Sequence, residues 1–136
     1  MQYINVTIEL LKTYSSSKSM KELLALAIWF KMQHSNSVIW NVTEYKLRKG
    51  LRIGRPKAQR LIRDMKESSL FSVEGNKVVV SSFRDHTTKW TRKGKEYRGG
   101  MVCKFEVKEY TMKELYNLIN EKLFVYPICA AAHKDC

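Results

Sequence analysis

Five cations lie between residues 55 and 67: Arg55, Lys57, Arg60, Arg63 and Lys66, with Gln59 among them. These side chains donate hydrogen bonds and carry positive charge, so their chemistry is recognition of anions and base edges. Arginine can bond guanine O6 and N7, glutamine can bond adenine N6 and N7, and lysine meets phosphate as a point charge. Ala58, Leu61, Ile62 and Met65 recur through the same stretch at helical spacing. Burying that stripe sends Arg55, Lys57, Gln59, Arg60, Arg63 and Lys66 towards solvent. A solvated helix face is the ordinary explanation of such a charge run. Against it, the stretch holds only two acids, Asp64 and Glu67, both towards its C-terminal half.

A second basic set, Arg84, Lys89, Arg92, Lys93, Lys95 and Arg98, is interleaved with Trp90 and Tyr97 and flanked by Gly99 and Gly100. Cations among aromatics suit an arm that tracks phosphates or stacks on single-stranded bases. A loop whose Trp90 folds back on the core is the competing reading. From this arm Arg92, Lys93 and Lys95 join the candidate contacts, together with Lys77 further upstream. The C-terminal Cys129, His133 and Cys136 have ligand-like spacing, and Cys103 is available as a fourth zinc ligand. The paired Cys-x-x-Cys of common zinc motifs is missing, so free thiols and no metal cofactor are expected. No catalytic set emerges. His34 and His86 lack a serine or cysteine in a recognisable setting, there is no Gly-rich phosphate loop, and Asp64, Glu67 and Asp85 are scattered. A non-enzymatic protein is expected.

The bulk numbers set the field in which these residues act. Lysine and arginine total 25 against 13 acids, a formal charge of +12 in 136 residues, and the pI is near 9.7. Such a field attracts polyanions. A membrane is the weaker candidate, because the longest apolar run, Leu23 to Phe30, is bounded by Glu22 and Lys31 and falls far short of the roughly 20 residues of a span. The N-terminal MQYINVTIELLK lacks the basic start and cleavage site of a signal peptide. A reducing cytoplasm is the expected setting, and three cysteines are too few and too odd for a disulfide framework.

The elements that must position these residues follow from periodicity and punctuation. Ile4 to Ile8 alternates like a half-buried strand. Ser19 with Glu22 offers a capping box for a helix to Gln33, and Asn41 with Glu44 a second one, for a short helix to Lys49 or Gly50. Val38 to Trp40 reads as a short strand between them. Leu51 to Gly54 reads as a turn, and Pro56 suits the first turn of the helix from Arg55 to Glu67. Leu70 to Val73 and Lys77 to Phe83 read as a hairpin around Glu74-Gly75-Asn76. Residues 84–100 form a basic excursion, with a second hairpin turn at Lys93-Gly94-Lys95 as one option. Val102 to Val107 alternates again, and Thr111 with Glu114 caps a last helix bearing Leu115, Leu118, Ile119 and Leu123.

Helix, strand, short helix, tight turn, longer helix and hairpin is an order that resembles the winged helix-turn-helix superfamily. The likeness is carried by Leu47-Arg48-Lys49-Gly50-Leu51-Arg52-Ile53-Gly54-Arg55-Pro56-Lys57-Ala58-Gln59-Arg60-Leu61-Ile62. By that match Ala58 is the close-contact position and Leu47, Leu51, Ile53, Leu61 and Ile62 are the pins. Arg52 stands where the family often has glycine. The resemblance implies an α+β fold, a winged helix-turn-helix with additional β-strands and a C-terminal helix. It spans residues 19–83 of a single domain covering 1–136, followed by the excursion and a strand, helix and tail over 101–136. The first strand and Val102 to Val107 would extend the wing sheet, with the last helix beside it. It further implies duplex DNA as partner, in transcription regulation or replication of the kind carried out by small phage or mobile-element proteins in a bacterial or phage-infected cell. Single-stranded DNA or RNA bound by the basic-aromatic arm, and a protein-interaction or virion-structural role, are the alternatives. Monomer and homodimer are both open.

Overall fold

The computed structural model describes residues 2–87, 89–98 and 101–125, and the chain is a mixed α+β protein. At its centre lies α2 (Lys18–Gln33), every residue of which from Glu22 to Phe30 is buried. A helix apolar around its whole circumference must be surrounded. Here α4 (Arg55–Glu67), α5 (Met112–Val125), β1 (Tyr3–Thr7) and β4 (Lys77–Val80) all pack against it.

The N-terminal strand β1 passes directly into α1 (Ile8–Thr13), where the Thr7 side chain caps by accepting from the Leu10 amide. β7 (Val102–Glu106) pairs with β1 antiparallel over its whole length, with Val6 opposite Cys103 and Ile4 opposite Phe105. Val6, Cys103 and Phe105 turn into the core. This two-stranded sheet is separate from the second one, so β1 and β7 do not extend it as the sequence reading expected. The last helix likewise docks on α2 and α1, burying Met112, Leu115 and Ile119.

The second sheet has strand order β2-β4-β3, from β2 (Val38–Trp40), β4 and β3 (Phe71–Glu74). Between β2 and β3 the chain makes two helices, α3 (Glu44–Leu51) and α4. Alternation divides the sheet into two faces. Ile39, Val78, Val80 and Phe71 are buried beneath it, while Trp40 and Lys77, in register, lie on the other face with Glu74 beyond them. β3 and β4 are joined by a tight turn in which Gly75 takes φ +57, a conformation glycine adopts without a steric penalty. Beyond a short 3-10 turn (Phe83–His86), β5 (Lys89–Arg92) and β6 (Lys95–Arg98) form the second hairpin that the sequence offered as an option. Lys93 and Gly94 both have positive φ, the geometry that matches the right-handed twist of paired strands.

Two of the three capping boxes are not as expected. Ser17 rather than Ser19 caps α2, accepting from the Met20 amide, and Thr43 rather than Asn41 caps α3. The third forms in full: the Thr111 amide donates to Glu114 Oε1 at 2.9 Å and the Glu114 amide to Thr111 Oγ1 at 3.2 Å.

Candidate nucleic-acid interface

The helix that carries the cations is aimed by the turn before it. Leu47, Leu51, Ala58 and Leu61 are fully buried, with Ile53 and Ile62 packed at the margin of the same core, so all six expected pins and contacts join α3 to α4. Arg52, where glycine would be easiest, adopts the left-handed conformation at φ 55, ψ 54 and closes α3. The turn is thus made at a modest conformational cost. Gly54 then starts α4 without a side-chain cap, and Pro56 occupies the first turn, where no amide proton is needed. Behind the turn the Trp29 indole lies over Gly50 so closely that a Cβ there would fall 2.3 Å from Trp29 Cζ2.

At about 100° per residue, Ala58, Leu61, Ile62 and Met65 take the inner arc of α4. Arg55, Gln59, Arg63 and Lys66 fall within an arc of about 90° on the outside, and all four are exposed. Lys57 and Arg60 fall between the two and do not face outward as the sequence reading required. Both turn to Glu22, which is 1% exposed on α2. Lys57 Nζ lies 2.7 Å from Glu22 Oε2, and Arg60 Nη2 bonds Glu22 Oε1. The Lys57 and Arg60 side chains are 34% and 31% exposed, against 70% and 69% for Arg55 and Arg63. A carboxylate this deeply buried needs countercharge, and these two supply it. They leave the base-reading set. In the sequence Glu22 reads as the capping-box acid of Ser19 and the boundary of the apolar run of α2, and its actual partners lie more than thirty residues away.

On the other flank Glu44, in the first turn of α3, accepts from Gln59 Nε2 at 3.2 Å and pairs with Arg55 Nε at 3.0 Å. These exposed contacts orient two outward side chains without burying them, and exposed pairs of this kind contribute little to stability. Lys66 lines a crevice of about 210 Å³ between α4 and the β3–β4 turn, shared with Asn41, Thr43, Gly75 and Asn76. Lys77 stands on β4 beside Trp40. Arg92, Lys93 and Lys95 are exposed at the turn of the β5–β6 hairpin, in a sheet of their own.

The remaining candidates divide sharply. Cys103 is buried, donates from Sγ to the Val6 carbonyl at 3.5 Å, and has its thiol pKa pushed up to about 11 by burial. Cys129, His133 and Cys136 lie outside the described residues. Among the described residues no group of three His, Cys, Asp or Glu is placed to hold a metal ion. His86 Nε2 lies 2.6 Å from Ser81 Oγ, and burial lowers the imidazole pKa against an opposing effect of Asp85. Lys31 also sits below its usual value through burial, donating to Ser37 Oγ and lying 4.7 Å from the Phe83 ring centroid. No helix among the described residues is long and apolar enough to cross a membrane. Compared with protein-family models, curated proteins and solved structures, the chain matches none of them.

Proposed function

We propose that this chain is a winged helix-turn-helix protein that binds duplex DNA without catalysis, α4 entering the major groove and the β3–β4 hairpin acting as the wing. The observation that carries the reading is the outer face of α4, where Arg55, Gln59, Arg63 and Lys66 are exposed together on a helix that buries Ala58, Leu61 and Met65 in the core. Thirteen residues make a helix about 20 Å long and, with side chains, about 10–12 Å across, which suits a groove about 12 Å wide. The element order α2, β2, α3, α4, β3, β4 and the sheet order β2-β4-β3 support the same reading. Within it Arg55, Gln59 and Arg63 read bases, Lys66 and Lys77 hold phosphate, and Lys57 and Arg60 fix the helix to its scaffold. By the likeness to small phage and mobile-element proteins, the process served is replication or transcription regulation in the cytoplasm of the host cell.

The test is equilibrium binding to a panel of duplexes at two salt concentrations. Arg63→Ala should lose about 1–3 kcal/mol of discrimination between preferred and altered sites, and Lys66→Ala should weaken all duplexes alike. Parental behaviour of both variants on every duplex would remove α4 as the reading element. Single-stranded binding is the second reading, favoured by exposed Tyr97 among the cations of β5 and β6. It requires binding that survives loss of the α4 cations.

A further inference from the structure

Trp40 and Tyr45 are 59% and 63% exposed, and neither is used by the reading above. They emerge on either side of a short connection that the structure holds firmly. Trp40 ends β2, the Asn41 amide donates to the Asn76 carbonyl at 2.8 Å, and Thr43 caps α3. Lys46 Nζ, from the first turn of α3, reaches back to the Trp40 carbonyl at 3.2 Å. The Trp40 backbone is therefore held beside the β3–β4 turn, and Tyr45 sits in the first turn of α3, five residues on.

Cations surround them. Lys77 is the register partner of Trp40, Lys46 Nζ bonds the Trp40 carbonyl, and Lys49 Nζ stands 5.5 Å from the Tyr45 ring centroid. Two acids border the patch. Glu44 is engaged by Arg55 and Gln59, and Glu74 is in register with Lys77. The Glu44 contacts also join this patch to the outer face of α4. Exposed rings inside a positive collar suit a polyanion that carries its own flat apolar faces, and the unpaired bases of a nucleic acid are that ligand.

Resting on the proposed duplex contact of α4, we infer that Trp40 and Tyr45 form an aromatic step that stacks unpaired bases where a duplex ends or opens. The preferred ligand is then a duplex carrying a single-stranded extension. Stacking on an aromatic side chain contributes about 1–3 kcal/mol per base, so a short extension should tighten binding by about five-fold or more.

The test compares a blunt duplex, the same duplex with a short thymidine extension, and the single strand alone, by fluorescence polarisation on the full chain. The extension should strengthen parental binding. Trp40→Ala and Tyr45→Ala should each reduce that gain while keeping the parental affinity for blunt duplex and the parental melting temperature, and Trp40→Phe should keep part of it. Equal binding of blunt and extended duplexes by the parent would overturn the inference alone. A gain that persists undiminished in both alanine variants would also overturn it. Failure to bind any duplex would instead sink the α4 reading, and this one with it.

Discussion

On the side of α4 that faces α2, Lys57 and Arg60 close on the buried Glu22, while on its outer side Arg55 and Arg63 keep more than two thirds of their side-chain surface in water. Both sets are cationic, and along the helix the inner pair, Lys57 and Arg60, lies between the two outer arginines. They differ in which way the backbone turns them. The inner set is committed to a carboxylate that would otherwise be stranded in the core, so its charge acts on the fold. The outer set meets its acids in water, Arg55 pairing with Glu44 and Arg63 with Asp64, where pairing costs little to exchange for another anion. Net charge counts both sets equally, although only one is available to a partner.

The contrast is tested most severely at Arg60. Arg60→Ala leaves Glu22 with Lys57 alone, and hydrogen bonds to a charged group of this kind contribute about 1.5–3 kcal/mol. Because Arg60 keeps 31% of its side-chain surface exposed, a loss of about 2 kcal/mol is expected. Arg63→Ala should stay within about 0.5 kcal/mol of the parent. Urea denaturation of both variants decides the matter, and equal midpoints would erase the distinction between the two sides. Next in size is Gly50→Ala. The added methyl meets the Trp29 ring, which cannot withdraw without disturbing its own packing against Phe30. Overpacking costs about 1–3 kcal/mol and the helical preference of alanine over glycine returns up to about 1, for a net loss of about 1–2 kcal/mol. A melting temperature at or above the parental one would show that the indole is not confined there.

Much of this architecture was legible because local and tertiary demands agree. The bounds of α4 follow from Pro56 and its apolar stripe, the β3–β4 turn from Gly75, and the start of α5 from Thr111 and Glu114. What was not legible depends on distant partners. Ser19 and Glu22 have the right spacing for a capping box, yet Glu22 is drawn inward by Lys57 and Arg60 and the helix is capped two residues earlier, by Ser17. A helical wheel divides α4 into apolar and polar arcs, but it cannot say that part of the polar arc faces a buried acid on α2. The pairing of β1 with β7 joins residues almost a hundred positions apart, and nothing in either strand's alternation names its partner. Trp40 belongs to a short apolar run of the kind expected to be buried, Tyr45 stands between two charged residues with no pattern to mark it, and the exposure of both appears only once β2 and α3 are placed.

A smaller effect separates two acids. Glu22 is buried between cations, whereas Glu114 is exposed and caps α5, and its hydrogen bonds with Thr111 hold its carboxyl below the usual 4.5. A lowered carboxyl pKa gives stability that is fully present above the unfolded value and disappears as pH falls through the folded one. Glu114→Ala should therefore be less stable than the parent at neutral pH, with the gap narrowing as pH drops below 4.5. Parallel stability curves of parent and variant between neutral and acid pH would show that the box does not act through the ionised carboxylate.

The smallest change in stability is expected at the β5–β6 hairpin, which sets exposed cations on an isolated two-stranded sheet where α4 sets them on a buried scaffold. Arg92, Lys93 and Lys95 are exposed around the Lys93-Gly94 turn. Replacing all three with alanine should leave the melting temperature unchanged, because exposed charges contribute little to folding. If the hairpin anchors on the DNA backbone beside the α4 contact, each cation that neutralises a phosphate adds about 0.9 to the magnitude of the slope of log affinity against log salt. The triple variant should then lower that magnitude by roughly 1–3 while the ranking of duplex sequences, set by Arg55, Gln59 and Arg63, stays as in the parent. A changed ranking would move the hairpin from anchoring to base reading. An unchanged slope with a lowered melting temperature would make the hairpin part of the fold, and the contact surface would contract to α4 and the β3–β4 turn.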